Sequence, residues 1–160
     1  MTSKKLPKMN EEEIRQLIKK QFLCRIAFRG DLYPYIAPFQ YVVINDNLYF
    51  HFTDYGKKIG FLKQDNPVCV EIEEYSQDLS KYAFVILQGK LKLVEDLQEK
   101  KIALEKFVAE GKKRFSENFL LAHGFSFGSK WEDLLEKPLM IVKLDKVVKK
   151  TGLKSDNYES

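Results

Sequence analysis

Cysteine, histidine and tryptophan are scarce in this chain of 160 residues, with two Cys, two His and one Trp. Cys24 and Cys69 lie far apart in apolar, strand-like contexts and show no metal-ligand spacing, which argues against a disulfide-stapled or zinc-bound domain and for reduced core residues. No apolar run approaches the roughly 20 residues that cross a bilayer. The opening MTSKKLPKMNEEE carries no apolar core of the kind a secretory signal has, so a cytoplasmic protein is expected. Walker loop, nucleophile elbow, His-Glu-x-x-His and Cys-x-x-Cys patterns are all missing, so any redox chemistry would belong to a cofactor. The formal charge of +4 permits anionic ligands but falls short of a nucleic-acid signature.

What the chain does have is aromatic residues: twelve Phe and eight Tyr, a composition that favours strands. There is no repeat, low-complexity stretch or linker, and a single domain over residues 1–160 is expected. Asn10 and Glu13 form an N-x-x-E capping box, and Ile14, Leu17, Ile18 and Phe22 mark one apolar helix face. The period then changes to that of strands: LCRIAF, then YPYIAPFQYVVI, then LYFHFT, with an Asn45-Asp46-Asn47 hairpin turn between the last two. Pro34 and Pro38 imply that the second strand is an edge or bulged. Lys57–Gln64 reads as a two-turn helix with Ile59, Phe61 and Leu62 inward, ending before Pro67. VCVEIEEY and YAFVILQGKLKLV are strands, and Gly89 in the latter suggests a bend or a close backbone approach. A helix over Leu97–Phe115, with Ile102, Leu104, Phe107 and Val108 apolar, is followed by an irregular or helical stretch to Lys137. PLMIVKLDKVVKKTG is the last strand. This order predicts a mainly β protein, a small antiparallel barrel with helices at its rim.

The turn Thr53-Asp54-Tyr55-Gly56-Lys57-Lys58 has the makings of a phosphate cradle. Thr53 offers a hydroxyl, Gly56 permits close backbone approach, and the start of the next helix presents N–H groups beside two lysines. The same residues also suit an ordinary strand-to-helix turn with solvated lysines.

The block LYFHFTDYGKKIGFLKQDNPVCVEIEEY, together with RIAF, PYIAPFQYVV, VILQGKLKLV and IVKLDKVVKKTG in that order, resembles the flavin-binding split-barrel relatives of pyridoxamine 5′-phosphate oxidase, in particular the nitroimidazole-resistance-like subgroup. The resemblance implies a six-stranded antiparallel split barrel and a homodimer with FMN at the subunit interface. It also implies a phosphate held by Thr53, Lys57 and Lys58, and a flavin ring edge meeting Pro38, Phe39, Gln40 and Tyr41. His51 would lie close to the cofactor. Gln88 and Trp131, matched more loosely, would complete the site from the partner subunit. The chain departs from the oxidases in two places. Lys57 stands where they carry arginine, and a lysine lacks the bidentate fork. The C-terminus is lysine-rich rather than arginine-rich. Both argue against genuine pyridoxamine 5′-phosphate oxidase activity and leave a small-molecule oxidoreductase, acting from a nicotinamide to a nitro compound or quinone, as the expected activity. A flavin-storage module, or a haem- or deazaflavin-binding relative, is the alternative.

His51 lies between Phe50 and Phe52, so its side chain points opposite to theirs, on one face with Tyr49 and Thr53. It suits a barrel-mouth hydrogen bond, a flavin or substrate contact, or a haem ligand. His123 belongs to a Gly/Ser-rich loop and is read as a loop residue. Glu71 and Glu73 read as a solvated strand face paired across to Lys90 and Lys92. Lys112, Lys113 and Arg114 complement the dipole at a helix end.

Overall fold

A computed structural model describes residues 5–53, 56–64, 67–116, 118–122, 125–136 and 139–159. Six antiparallel strands close into a barrel: β1 (Leu23–Phe28), β2 (Tyr35–Ile44), β3 (Asn47–Phe52), β4 (Pro67–Tyr75), β5 (Tyr82–Leu93) and β6 (Met140–Lys154), in the spatial order β1-β2-β3-β6-β5-β4. The helices are α1 (Glu11–Lys20), α2 (Lys57–Lys63), α3 (Leu97–Arg114) and α4 (Asn118–Ala122), with a short 3₁₀ helix at Trp131–Leu135. The expected six-stranded split-barrel architecture is the one found.

Side-chain alternation sets the two sides of the wall. Phe28, Phe39, Tyr41, Phe50, Phe52, Val70, Ile72, Val85 and Val142 turn inward and fill the barrel. At one end α1 covers this core with Ile14, Leu17 and Ile18, and the Tyr41 hydroxyl donates to the Ile18 carbonyl at 2.7 Å. The capping box starts this helix as the sequence requires, with Glu13 N–H donating to Asn10 at 2.9 Å and Asn10 N–H donating to Glu13 at 2.8 Å. The helix stops at Lys20, so Phe22 falls beyond it and meets Phe115 edge-on at 5.1 Å. At the other end α2 lays Phe61 on Phe28 and Tyr35, with ring centroids 5.3 and 5.7 Å apart.

Asn45 and Asp46 take positive φ, 49° and 61°, in the β2–β3 turn. Pro34 precedes β2. Pro38 lies within it, opposite Arg25 of β1, in the stretch where β2 has no β3 partner, because β2–β3 pairing begins at Tyr41 and Phe50. That stretch is a local edge, where a missing N–H is tolerated. Gly89 marks the register shift between β5 and β6, where a Cβ would come within 2.9 Å of the Asp145 carbonyl oxygen.

Two expectations need correction. Glu71 and Glu73 do not face Lys90 and Lys92. The β4–β5 register sets them opposite Ile86 and Phe84, and both carboxylates engage Arg25 of β1 instead. In α3, Ile102 is 43% exposed, because Ala103, Leu104, Val108 and Gly111 form the inward stripe. Lys149 and Lys150, both exposed, fall within the expected last strand, β6, paired with Gln88 and Leu87.

Candidate functional site

The outward face of the β2–β3–β6 wall is where α3 lies. Val42, Tyr49 and Ile141 pack there against Ala103 and Leu104. Tyr49 donates its hydroxyl to Glu99 at 2.7 Å, and Lys143 reaches the same carboxylate at 2.8 Å. Burial, with Glu99 alongside, pushes the Tyr49 phenol up to about 12. Lys143 and Tyr49 in turn hold the Glu99 carboxyl below its usual value. This network pins the first turn of α3 to the barrel, and the rest of the helix runs on toward the end of α1.

Between α3, the ends of α1 and β3, and the segment from Phe115 to Leu139 lies a cleft of ≈ 770 Å³. His51, half-buried, meets Phe107 of α3 edge-on at 5.4 Å. Gln40 and Thr53, also half-buried, line the same cleft, and extending the β2–β3 register by one residue sets Gln40 opposite His51. Opposite the strands stand Phe115, Phe119 and Trp131, near-parallel, with centroids 4.6 Å (Phe115–Phe119) and 5.2 Å (Phe119–Trp131) apart. Gly111 makes this stack possible: a Cβ there would lie 2.3 Å from the Trp131 indole.

The cleft is framed by charge. Arg114 bonds Glu110 at 2.7 Å and donates to the Lys20 carbonyl at 3.1 Å, clipping the end of α3 to the end of α1. Lys106 bridges to the same Glu110 at 3.1 Å, and Lys19 lies 3.7 Å from Asp46. Arg114, ahead of Lys106, holds the Glu110 carboxyl below its usual value against the opposing effect of burial.

The residues singled out from the sequence fall into three places. Gln40, Tyr41, His51, Thr53 and Trp131 line the cleft of a single chain. Tyr41 sends its side chain into the barrel, where burial pushes its phenol up and leaves it a hydrogen-bond donor. Phe39 also points inward and is 6% exposed, so Pro38 and Gln40 are the two of the four β2 residues that turn their side chains outward. Lys57 and Lys58 stand at the start of α2, outside the cleft. Lys57 is exposed, whereas the Lys58 ammonium lies over the Phe39 and Phe52 rings at 5.1 and 5.8 Å from their centroids. Gly56, ahead of them, takes φ +91°, a conformation only glycine adopts readily. Asp54 and Tyr55 of the same turn, and His123, lie outside the described residues. Gln88 faces outward on β5, paired with Cys69 and Lys149, away from the cleft. The α3 contribution was not anticipated: Leu104, Phe107, Gly111 and Phe115 recur at three- and four-residue spacing, a helical face that periodicity alone can reveal.

Residues 10–118, more than half the chain, match the pyridoxamine 5′-phosphate oxidase family. The chain belongs to that family. No curated relative matches its sequence. Among solved structures, the fold is similar to a FAD-binding protein from Mesorhizobium loti (TM-score 0.64, 19% identity, 94% of this chain and 96% of that one). It is also similar to a putative 5-nitroimidazole antibiotic resistance protein from Bacteroides thetaiotaomicron (0.61, 21%, 98% and 98%). A FAD and heme binding protein from Mycobacterium smegmatis superposes at 0.65 with 14% identity, over 94% of this chain and 74% of that one. The family match spans α1 to α3 with strands β1 to β5, and these likenesses carry the same fold on through β6. Among the described residues no helix is long and apolar enough to cross a membrane, and no cluster of metal-ligating side chains occurs.

Proposed function

We propose that the protein is a flavoprotein that binds FMN in this cleft and passes electrons from a nicotinamide or similar donor to a small nitro or quinone acceptor. The observation that carries the reading is the convergence of Gln40, His51, Thr53 and Trp131, from distant parts of the sequence, on one aromatic-walled cleft. The donor set fits the cofactor. A planar, largely apolar ring with one polar edge matches flat aromatic walls faced by an amide, an imidazole and a hydroxyl. The phosphate falls to Thr53 and the lysines of the following turn, with Thr53 common to the cleft and the turn. Flavin, when bound, supplies the hydride and electron chemistry, and the chain supplies position and exclusion of water. FAD-binding among the solved relatives supports a flavin. The short turn and its lysines favour the mononucleotide.

We place the homodimer contact on the β1–β4–β5 side of the barrel, where no described helix lies on the outward Arg25, Glu71, Glu73 and Gln88. Light scattering on the purified protein should report twice the chain mass.

The purified protein should be yellow, with two visible flavin bands, and should take up FMN with saturation at one per chain. Failure to bind FMN or FAD would defeat the proposal. A haem reading has one specific support, the haem-binding relative. A Soret band that is lost in His51→Ala, with no flavin bands, would replace the flavin reading by that one.

A further inference from the structure

We infer that the bulge at Lys146–Lys150 of β6 docks the protein on an anionic lipid surface. The inference does not depend on the flavin reading. A strand in a barrel wall should alternate between core and solvent. β6 keeps that alternation through Val142, Lys143, Leu144 and Asp145 and then loses it: the residues from Lys146 to Lys150 are all exposed. Lys146, Val147 and Val148 stand against the single residue Gly89 of β5, because the register steps from Lys90–Asp145 to Gln88–Lys149. Gly89 admits the bulge, since a Cβ there would lie 2.9 and 3.2 Å from the Asp145 and Lys146 carbonyl oxygens. Lys146 takes φ +47°, a conformation disfavoured for a residue with a side chain. On its other side β6 has already left β3, whose last pair is Tyr49–Lys143. The tip therefore stands clear of the barrel, with Val148 82% and Val147 44% exposed.

The charge around the tip is uneven. Between Lys143 and Lys154 the sequence has five lysines and one aspartate. Lys143, Lys150 and Lys154 each meet a carboxylate of α3 or α1, those of Glu99, Glu11 and Glu13. Lys146 and Lys149, the two that flank the valines, have no such partner among the described residues. The bulge thus presents two apolar side chains between two unneutralised cations. That pattern selects among occupants. Protein interfaces are depleted in lysine and draw their binding energy from Trp, Tyr and Arg, with valine under-represented. A twofold contact centred on the bulge would set the lysines of two copies against one another. A nucleic acid would answer the charge but leave the valines in water. An anionic bilayer answers both, taking apolar side chains at the headgroup boundary and attracting each lysine near its surface.

Co-sedimentation of the whole chain with vesicles tests this, using phosphatidylcholine alone and phosphatidylcholine mixed with phosphatidylglycerol. The mixed vesicles should bind at least about tenfold more tightly than the neutral ones, and added salt should release the protein. Lys149→Glu should weaken binding about tenfold or more, and Val148→Asp about fivefold. Both should keep the wild-type Tm, because the positions are exposed. Lys81→Glu, the same charge change at an exposed position in the β4–β5 turn, should stay within about twofold of wild type. Equal binding to both kinds of vesicle, binding to neither, or equal losses in Lys149→Glu and Lys81→Glu would overturn the inference. So would a Lys149→Glu chain that binds vesicles as before but shifts from dimer to monomer, since the bulge would then be a contact between copies. Uptake of duplex DNA without uptake by vesicles would overturn it in favour of nucleic acid.

Discussion

The two sides of this barrel wall use the same alternation to opposite ends. Over β2–β3–β6 the outward residues are Val42, Tyr49, His51 and Ile141, and α3 covers them. Over β1–β4–β5 the outward residues include Arg25, Glu71, Glu73 and Gln88, and no described helix lies on them. Inside, both halves are equally apolar, so barrel stability does not explain the difference. A helix laid over an apolar outer face leaves gaps where side chains differ in size, and such gaps make a cleft. A charged face left open makes a surface that another chain can meet. In the proposed reading, ligand binding falls to the first wall and association to the second.

The largest expected effect is on the covered wall. Gly111→Ala pushes a methyl group into the Trp131 indole, which must move with Phe119 and Phe115 behind it. Overpacking of this kind costs about 1 to 3 kcal/mol. A fall in Tm, with a red shift in tryptophan emission, is the expected reading. An unchanged emission maximum would mean that the stack is softer than its packing implies.

Next comes the turn that serves the cleft. Lys57→Glu should weaken FMN by about tenfold, equivalent to 1.4 kcal/mol, and leave Tm of the flavin-free protein unchanged. Lys58→Met should act the other way round: a small loss of flavin affinity but a stability loss of about 0.5 to 1 kcal/mol, because the ammonium over Phe39 and Phe52 is held by the barrel rings. Isothermal titration and thermal melts of both variants separate the two roles. Identical behaviour would merge the lysines into one cradle.

This division was not legible in the sequence, which offers Lys57 and Lys58 as equivalents. Local chemistry, by contrast, could be read directly. The Asn10 box, the Asn45-Asp46 turn and the strand periods each depend on neighbours in the chain, and so each was accessible. Pairing between distant segments was not. Arg25 meets Glu71 and Glu73 because β1 and β4 are neighbours in the closed barrel, whereas hairpin logic points to Lys90 and Lys92 on β5. The cleft was half legible. His51 and Gln40 follow from alternation and resemblance, but the wall of Phe107, Gly111 and Phe115 depends on where α3 docks, and only the fold determines that.

A smaller effect tests what fixes α3. Glu99 has its carboxyl held below the usual 4.5, chiefly by Lys143 and then by Tyr49. A depressed carboxyl contributes stability above the unfolded-state value, and that contribution is lost as pH falls through the folded-state value. Wild type should therefore exceed Glu99→Gln in stability at pH 7, by about 1 kcal/mol, and the gap should close as pH falls through the depressed Glu99 value. Melts from pH 7 to pH 3 give the answer, and a gap that stays constant with pH would remove the ionic part of the network.

The smallest effect on the isolated chain, and the sharpest test of the contrast, is on the open wall. Arg25 is about half-exposed, and its partners Glu71 and Glu73 are partly exposed. Burial, with Glu73 adding repulsion, raises the Glu71 carboxyl, and Arg25 works against both. An ion pair so open to water contributes less than about 1 kcal/mol, so Arg25→Ala should barely change Tm at low protein concentration. Association should respond differently. In a contact between two copies the same pair loses its water, and removing one partner leaves carboxylates buried without compensation, which costs far more than the pair contributes in solvent. Arg25→Ala should therefore shift the monomer–dimer equilibrium toward monomer while Tm of the dilute chain holds. A dimer that persists unchanged would place the contact elsewhere, and the open wall would then be only a solvated surface.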